Sequence, residues 1–460
     1  MKIRNIIKSL LLSLVVVFAA SCDKKLDVDP RQSIDADDAL TTPADVEGAV
    51  VGCYAIMGRG ALYGTSLLMD ADLQASSGYC SWRGTFGDFL DVSLKTMTTV
   101  NSEASRVWIN AYDAINMANT VIDALGVVTD PGQKDQFEGE ALFVRGIMHF
   151  ELVRFYAKPW GTTAANDHLG VVIKTTATKT EEQAFERIPR STVSQVYAQV
   201  IADLTAASNK LPDDNGTRAD RFVALAMLSR VYMMQGNYTN ALQAANLVIA
   251  SNKYAMNAGV AAVFDNKNTR ESIWEIQQND QNNAGNSNDG MATFYASLEG
   301  IGRADLRMNA NFVNLYDPID SRVSEWYYIG EGARPGAIYC AKWKSFSQNL
   351  PVIRIAEMYL TRAECNIRLG TTTGATPEED LAQIVNPLRN KLASYVNPTL
   401  DDVLFERYLE LAFEGVRIHD VKRLRLSNGA FAWNADKLVF PIPQSEVDAT
   451  EGVIIQNLGY

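Results

Sequence analysis

Hydrophobic positions along most of this chain recur every three or four residues, the spacing of one face of an α-helix. Trp108, Tyr112, Ile115, Ala118, Ile122 and Leu125 form one such stripe, and Phe137, Ala141, Val144, Met148, Leu152 and Phe155 form a second. Val193, Val196, Val200 and Leu204 follow Ser191, a side chain placed to cap a helix. Phe222, Leu225, Leu228 and Tyr232 come next, then Ala241, Ala245 and Val248. Toward the C-terminus the pattern predicts helices over 353–369 and 403–425, the latter opened by Thr399-Leu-Asp-Asp402, which has the form of a capping box. Short connections join successive stripes, which makes neighbouring helices antiparallel. The expected fold is mainly all-α.

One helix pair carries a repeat signature. Leu225, Leu228, Ser229, Tyr232, Gly236, Tyr238 and Ala241 fall in tetratricopeptide register. Small residues at 229 and 241 let the two helices approach, and Gly236 with Asn237 supplies the turn. Ala363 and Gly370 repeat the seven-residue spacing of Ser229 and Gly236, and the 139–160 segment has Gly146 at the small position. The repeats are degenerate, so the expected architecture is a tetratricopeptide-like helical platform, over about 101–251 and 351–427. Two long irregular, aromatic-rich loop insertions interrupt it, at about 52–100 and 252–350. The first holds Tyr63, Tyr79, Trp82, Phe86 and Phe89; the second holds Phe294, Tyr295, Trp326, Tyr327, Tyr328, Tyr339, Trp343 and Phe346. Within the second, residues 279–290 (NDQNNAGNSNDG) are nearly all turn formers and read as a mobile loop. Long loops of this kind are uncommon unless they carry function.

The N-terminus reads as a targeting segment. Lys2, Arg4 and Lys8 form a positive N-terminal region, residues 6–18 form the apolar core, and small residues at 19–21 precede Cys22. A cysteine after small residues resembles a bacterial lipobox, with 1–21 as the signal peptide and Cys22 as the lipidated residue. The alternative is an uncleaved anchor, for which the apolar core is short. Residues 23–29 (DKKLDVD) then form a polar tether. The net charge of −12 repels polyanions, so nucleic acid is not an expected partner. None of Cys53, Cys80, Cys340 and Cys365 makes a C-x-x-C pair, and no disulfide is assigned; Cys365 sits in a helical pattern as a small buried residue. Three histidines leave little room for a metal site, and neither a metal nor a cofactor is expected. The chain has no G-x-x-x-x-G-K-[ST], H-E-x-x-H, G-x-S-x-G or G-x-G-x-x-G. His149 lies on a helical face and reads as a core residue. His419 and Asp420 read as a structural pair, and no catalytic residue is nominated.

The C-terminal third carries a family resemblance. Residues 406–423 (ERYLELAFEGVRIHDVKR), 440–448 (FPIPQSEVD), 456–460 (QNLGY) and 354–364 (RIAEMYLTRAE) resemble segments of SusD/RagB-type outer-membrane lipoproteins. Residues 108–119, 140–160 and the lipobox resemble the same family in the same order, so the likeness spans 22–460. Pro387 and Leu458 depart from its pattern. The resemblance implies a lipid-anchored protein on the outer face of the outer membrane. Such proteins lid a TonB-dependent transporter and capture oligosaccharides, or in some members peptides, without acting as enzymes. A helical-repeat scaffold and, less favoured, a glycosidase are the rival readings.

Charged residues at three- and four-residue spacing (Glu406, Arg407, Glu410, Glu414, Arg417, Asp420) predict a ladder of ion pairs along one helix. Candidate ligand-binding residues come from the two insertions: Asp70, Asp72, Trp82 and Arg83 from the first, Asn101 just after it, and Tyr295, Arg303, Trp326 and Tyr327 from the second. A planar ring covers the apolar face of a sugar while neighbouring polar groups bond its hydroxyls. Trp82 and Trp326, each flanked by charged or polar residues, are the leading stacking candidates. The two insertions are expected to meet above the platform in one shallow site.

Overall fold

A computed structural model describes residues 40–460. The leader at 1–21, Cys22 and the tether at 23–29 lie outside the described residues. The helices of seven residues or more are α1 (Pro43–Met57), α2 (Ser66–Gln74), α3 (Gly87–Leu94), α4 (Ser102–Ala124), α5 (Pro131–Tyr156), α6 (Val193–Lys210), α7 (Arg221–Gln235), α8 (Tyr238–Ala250), α9 (Ile355–Leu369), α10 (Pro377–Ile384), α11 (Leu400–Glu410) and α12 (Arg417–Arg423). From α4 to α9 each helix packs on the next, which is the tetratricopeptide-like platform.

Local chemistry starts these helices where the pattern places them. Asp130 caps α5, whose first residue is Pro131, and Asp220 caps α7. Thr192, one residue beyond Ser191, closes a capping box with Gln195 on α6. Thr399 and Asp402 close the expected one on α11. Gly236 ends α7 at φ +69°, a conformation that costs glycine nothing, and Asn237 caps α8. The Ser229 hydroxyl donates to the Ala241 carbonyl at 3.2 Å, so these small residues do bring α7 against α8. Gly146 does the same between α5 and α6, where a Cβ would stand 3.1 Å from that of Asp203.

Helix α5 is the axis of the body, with every residue from Gly139 to Tyr156 buried. Its apolar stripe is only one face; the others bury charge, which must be matched. Arg145 donates to Asp203 at 2.9 Å, and Arg154 pairs with Glu151. His149 accepts from the Lys174 amide at 3.2 Å and donates to the Arg145 carbonyl at 2.9 Å. Burial lowers its pKa to about 4, so it is a neutral core residue as expected.

The C-terminal third differs from its sequence pattern in four ways. Residues 353 and 354 belong to a strand, and α9 starts at Ile355. The helix expected over 403–425 is two helices, broken after Glu410, with Phe413 at φ +61° and Gly415 at φ +73°. The break has a cause outside the segment. Lys342 Nζ donates to the carbonyls of Glu410 (3.1 Å) and Ala412 (2.8 Å), and the Trp343 indole donates to that of Phe413 (2.9 Å). Those acceptors are thereby bonded outside a helical ladder. The charge ladder is likewise replaced by long-range pairs. Glu410 binds Arg322, Arg354 and Arg389, Glu406 binds Arg322, and Glu414 binds Arg354 and Lys342. Arg407 spans Glu357 and Asp420, while Arg417 stacks 3.8 Å over the Tyr408 ring. His419 does not bond Asp420, which is held by Arg407 and Arg423; it packs edge-on to Phe155 instead.

The insertions are less irregular than their composition suggests. They contribute strands β1 (Cys80–Trp82), β2 (Ser272–Ile276), β3 (Leu306–Met308), β4 (Tyr327–Ile329) and β5 (Ile338–Cys340), with β6 (Leu350–Arg354) leading into α9. Among the described residues these make three antiparallel ribbons, β1–β3, β2–β6 and β4–β5. The asparagine-rich 279–290 segment is tied by its own side chains: Asn279 Oδ1 accepts from the amides of Gln281 and Asn282, and Asn283 Oδ1 from that of Asn286. The thiols of Cys53, Cys80, Cys340 and Cys365 are free and buried. Among the described residues no helix is long and apolar enough to cross a membrane.

Candidate functional site

The two insertions meet through the β1–β3 ribbon, where Trp82 pairs with Leu306 and Cys80 with Met308. The Arg83 amide extends the pairing by donating to the Asp305 carbonyl at 2.6 Å. The leading aromatic candidates are nevertheless enclosed. Trp326 is 0% exposed; its indole donates to the Val260 carbonyl at 2.9 Å, and Lys342 Nζ sits 3.8 Å over its ring. Trp82 packs between Phe89 and Phe294, and a Cβ at Gly84 would strike its indole. Tyr295 is buried and donates to Asp72 at 2.7 Å, and Tyr327 shares a 2.9 Å hydrogen bond with Tyr316. Asn101 caps α4, accepting from the amides of Glu103 (3.0 Å) and Ala104 (3.2 Å). None of these rings presents a free face to a sugar: in these loops the large aromatics supply the apolar area that fastens the loop to the body.

Asp70 and Asp72 lie on α2, which is buried along its whole length. Neither oxygen of Asp70 meets an N–H or O–H donor among the described residues. Burial first, and then the neighbouring Glu103, push the Asp70 carboxyl well above the ordinary carboxylate range. Burial also raises Glu103, to about 7, against the pull of Arg106. Burial thus favours the protonated form of both acids.

What faces solvent at the ribbon is a different set. Arg83 is exposed, and Phe86, between Thr85 and Gly87, is 38% exposed. The Arg303 guanidinium lies 4.6 Å over the Phe86 ring. It donates to Thr85 Oγ1 at 2.9 Å and to Asp305 at 2.8 Å. Arg334 pairs with the other oxygen of Asp305 at 3.3 Å. Burial raises the Asp305 carboxyl against the pull of Arg303 and Arg334, and the ion pairs fix both guanidinium groups at the surface. Immediately before these arginines in sequence, 298–302 and 331–333 border an open concavity of about 650 Å³. Of the residues expected at the site, Arg83 and Arg303 are on this surface. Phe86, Thr85, Asp305 and Arg334 are additions. The signal for Phe86 was its setting in Gly84-Thr-Phe-Gly87, where small neighbours leave a ring uncovered.

The arrangement can receive a ligand with an apolar face and several hydroxyls. The Arg303 guanidinium lies over the exposed Phe86 ring, and the arginines supply fixed donors. Among the described residues no cluster of three or more His, Cys, Asp or Glu is placed to hold a metal.

Comparison with known proteins agrees with this architecture. Residues 26–233 match a SusD-like family described as starch-binding associating with outer membrane, and residues 321–460 match the SusD family. Together they span well over half of the sequence, and the chain belongs to the SusD family. SusD-like protein P2 of Formosa agariphila is 24% identical, over 95% of this chain and 96% of its own. A SusD superfamily protein of Bacteroides thetaiotaomicron has a similar structure, with TM-score 0.80, 25% identity and coverage of 90% of this chain and 99% of its own. A laminarin-binding SusD-like protein shares the fold at TM-score 0.76 and 21% identity, covering 91% of this chain and 100% of its own. Proteins of this family are binding proteins associated with the outer membrane.

The raised carboxyls of Asp70 and Glu103 give a pH test. A carboxyl with a raised folded pKa binds more protons folded than unfolded between its two pKa values. Its stabilisation is thus complete below about pH 4 and is lost as pH rises toward about 7. Asp70→Asn removes this loss. Its melting temperature relative to wild type should be higher at pH 8 than at pH 5, by roughly 2 °C or more. Thermal melts showing the same difference at both pH values would contradict the raised carboxyl of Asp70.

Proposed function

We propose that this protein is a glycan-binding lipoprotein that captures oligosaccharides at the cell exterior for a TonB-dependent outer-membrane transporter. The observation that carries the reading is the Phe86–Arg303 stack beside the ion-paired Arg334. Phe86 is exposed there and the two arginines supply fixed donors, where two distant insertions join. Family membership supports binding without catalysis, and the laminarin-binding relative supports a carbohydrate as the ligand class. In this reading Cys22 carries the lipid, 23–29 is the tether, and the charged segment at 406–423 serves the scaffold.

Stacking contacts are worth about 1 kcal/mol, and 1.4 kcal/mol is tenfold in affinity. Phe86→Ala and Arg303→Ala should each weaken binding of laminarihexaose or maltoheptaose about fivefold in calorimetry, with little change in melting temperature. Wild-type affinity in both variants would remove the junction from the account. For the anchor, Cys22→Ala should abolish incorporation of a labelled fatty acid; equal labelling of variant and wild type would exclude Cys22 as the lipidated residue.

A further inference from the structure

A narrow crevice of about 20 Å³ opens where α5, α7, α9, α11 and α12 meet, and no residue of either insertion lines it. Four guanidinium groups do, those of Arg154, Arg230, Arg407 and Arg423. A site for one body of about water size needs roughly 10–15 Å³, so the crevice has room for one and not for a polyatomic ligand.

The buried charges around it do not balance. Arg154 pairs with Glu151, Arg230 with Glu357 at 2.6 Å, Arg407 with Asp420 at 2.9 Å and Arg423 with Glu364 at 2.7 Å. A fifth cation has no carboxylate. Lys422 is 1% exposed, and among the described residues its Nζ donates only to the Arg154 carbonyl, at 3.1 Å. Burial and then Arg154 lower its pKa to about 7, and no acid opposes the shift. His419, on the crevice wall, feels the same excess: burial and then Arg154, Lys422 and Arg230 hold its ring well below the ordinary histidine range. A buried charge is costly unless it is matched, and this cluster is one anion short.

Hydrogen bonding points the same way. Arg154 spends Nη2 on Glu151, and Arg230 spends Nε and Nη2 on Glu357 and the Val352 carbonyl. The Nη1 group of each has no partner among the described residues and, unlike the enclosed Nη1 of Arg407, keeps some accessible surface. Both side chains are otherwise buried, at 8% exposure each. The two carboxylates on the walls, Glu357 and Asp420, are already bonded to Arg230, Arg407 and Arg423. The crevice therefore offers N–H donors in a positive field, which suits an acceptor that carries negative charge. A water fits the space but offsets no charge. We propose that the crevice binds a monatomic inorganic anion of chloride size, held by Arg154 Nη1 and Arg230 Nη1. Such an ion ties α5 to α7 beside the bend between α11 and α12.

Removing Arg154 or Arg230 strands Glu151 or Glu357, so the test keeps the arginines. Thermal melts of the full-length protein at pH 6 compare sodium chloride with sodium gluconate at equal ionic strength. Chloride should raise the melting temperature saturably, by about 2 °C or more. Lys422→Met keeps the length of the side chain and removes the excess charge, and its half-saturating chloride concentration should be about tenfold higher than that of wild type. Crystals grown in sodium bromide should show an anomalous peak in the crevice. Equal wild-type melting in the two salts, or a crevice that holds water alone in the bromide crystals, overturns the anion site. An unchanged chloride response in Lys422→Met overturns it too, because the charge excess is its basis.

Discussion

Glu410 is the point on which the C-terminal half is hung. Its side chain is 0% exposed and lies 3.1 Å from Arg322, 3.2 Å from Arg354 and 3.0 Å from Arg389. These arginines come from the insertion, from the end of β6 and from the chain after α10, so one carboxylate fastens four separate segments. Burial alone would raise its pKa, but Arg389, Arg354 and Arg322 outweigh it and hold the carboxyl well below the ordinary range. Arg354 also reaches Glu271 and Glu414, and Arg322 reaches Asp320 and Glu406, which makes the cluster a lattice. Buried ion pairs add little net stability over apolar packing, yet removing one partner strands the others at a cost of about 3–5 kcal/mol. The lattice therefore specifies which segments meet.

The surface at the β1–β3 ribbon is downstream of that constraint. Lys342 links the lattice to the insertion by binding Glu414 at 2.6 Å and lying against the rings of Trp326 and Phe264. The buried indoles fasten the insertion to this frame. Arg303, Arg334 and Phe86 sit on the outer surface, where side chains are free to meet a ligand. Aromatic area inside holds the loop, and the fixed arginines lie outside.

The helices were legible because their causes are local: a stripe of apolar positions, a capping side chain, a glycine turn. Ser229, Gly236 and Ala241 gave the approach of α7 and α8, and Thr399 gave the start of α11. The break after Glu410 was not legible, because Lys342 and Trp343, some seventy residues earlier, take the carbonyls that a helix would use. The charged face of 406–420 looked like a ladder of ion pairs along one helix for the same reason. Its partners are remote arginines that no local spacing reveals. The site was half legible. Loop composition marked the two insertions that the β1–β3 ribbon joins, with Arg83 and Arg303 at its surface, but large rings in loops carry no periodicity to separate a buried pin from an exposed platform. Trp82 and Trp326 proved to be pins, and Phe86, between small residues, was the exposed ring.

Hydrogen exchange in a Glu410→Gln variant tests the central claim most directly. The substitution keeps the size of the side chain and removes the charge that gathers Arg322, Arg354 and Arg389. If the lattice holds the insertion in place, amides across β3, β4 and β5 will exchange faster than in wild type, while those of α4 to α7 keep their protection. Acceleration spread evenly over the whole chain, or none at all, would contradict it.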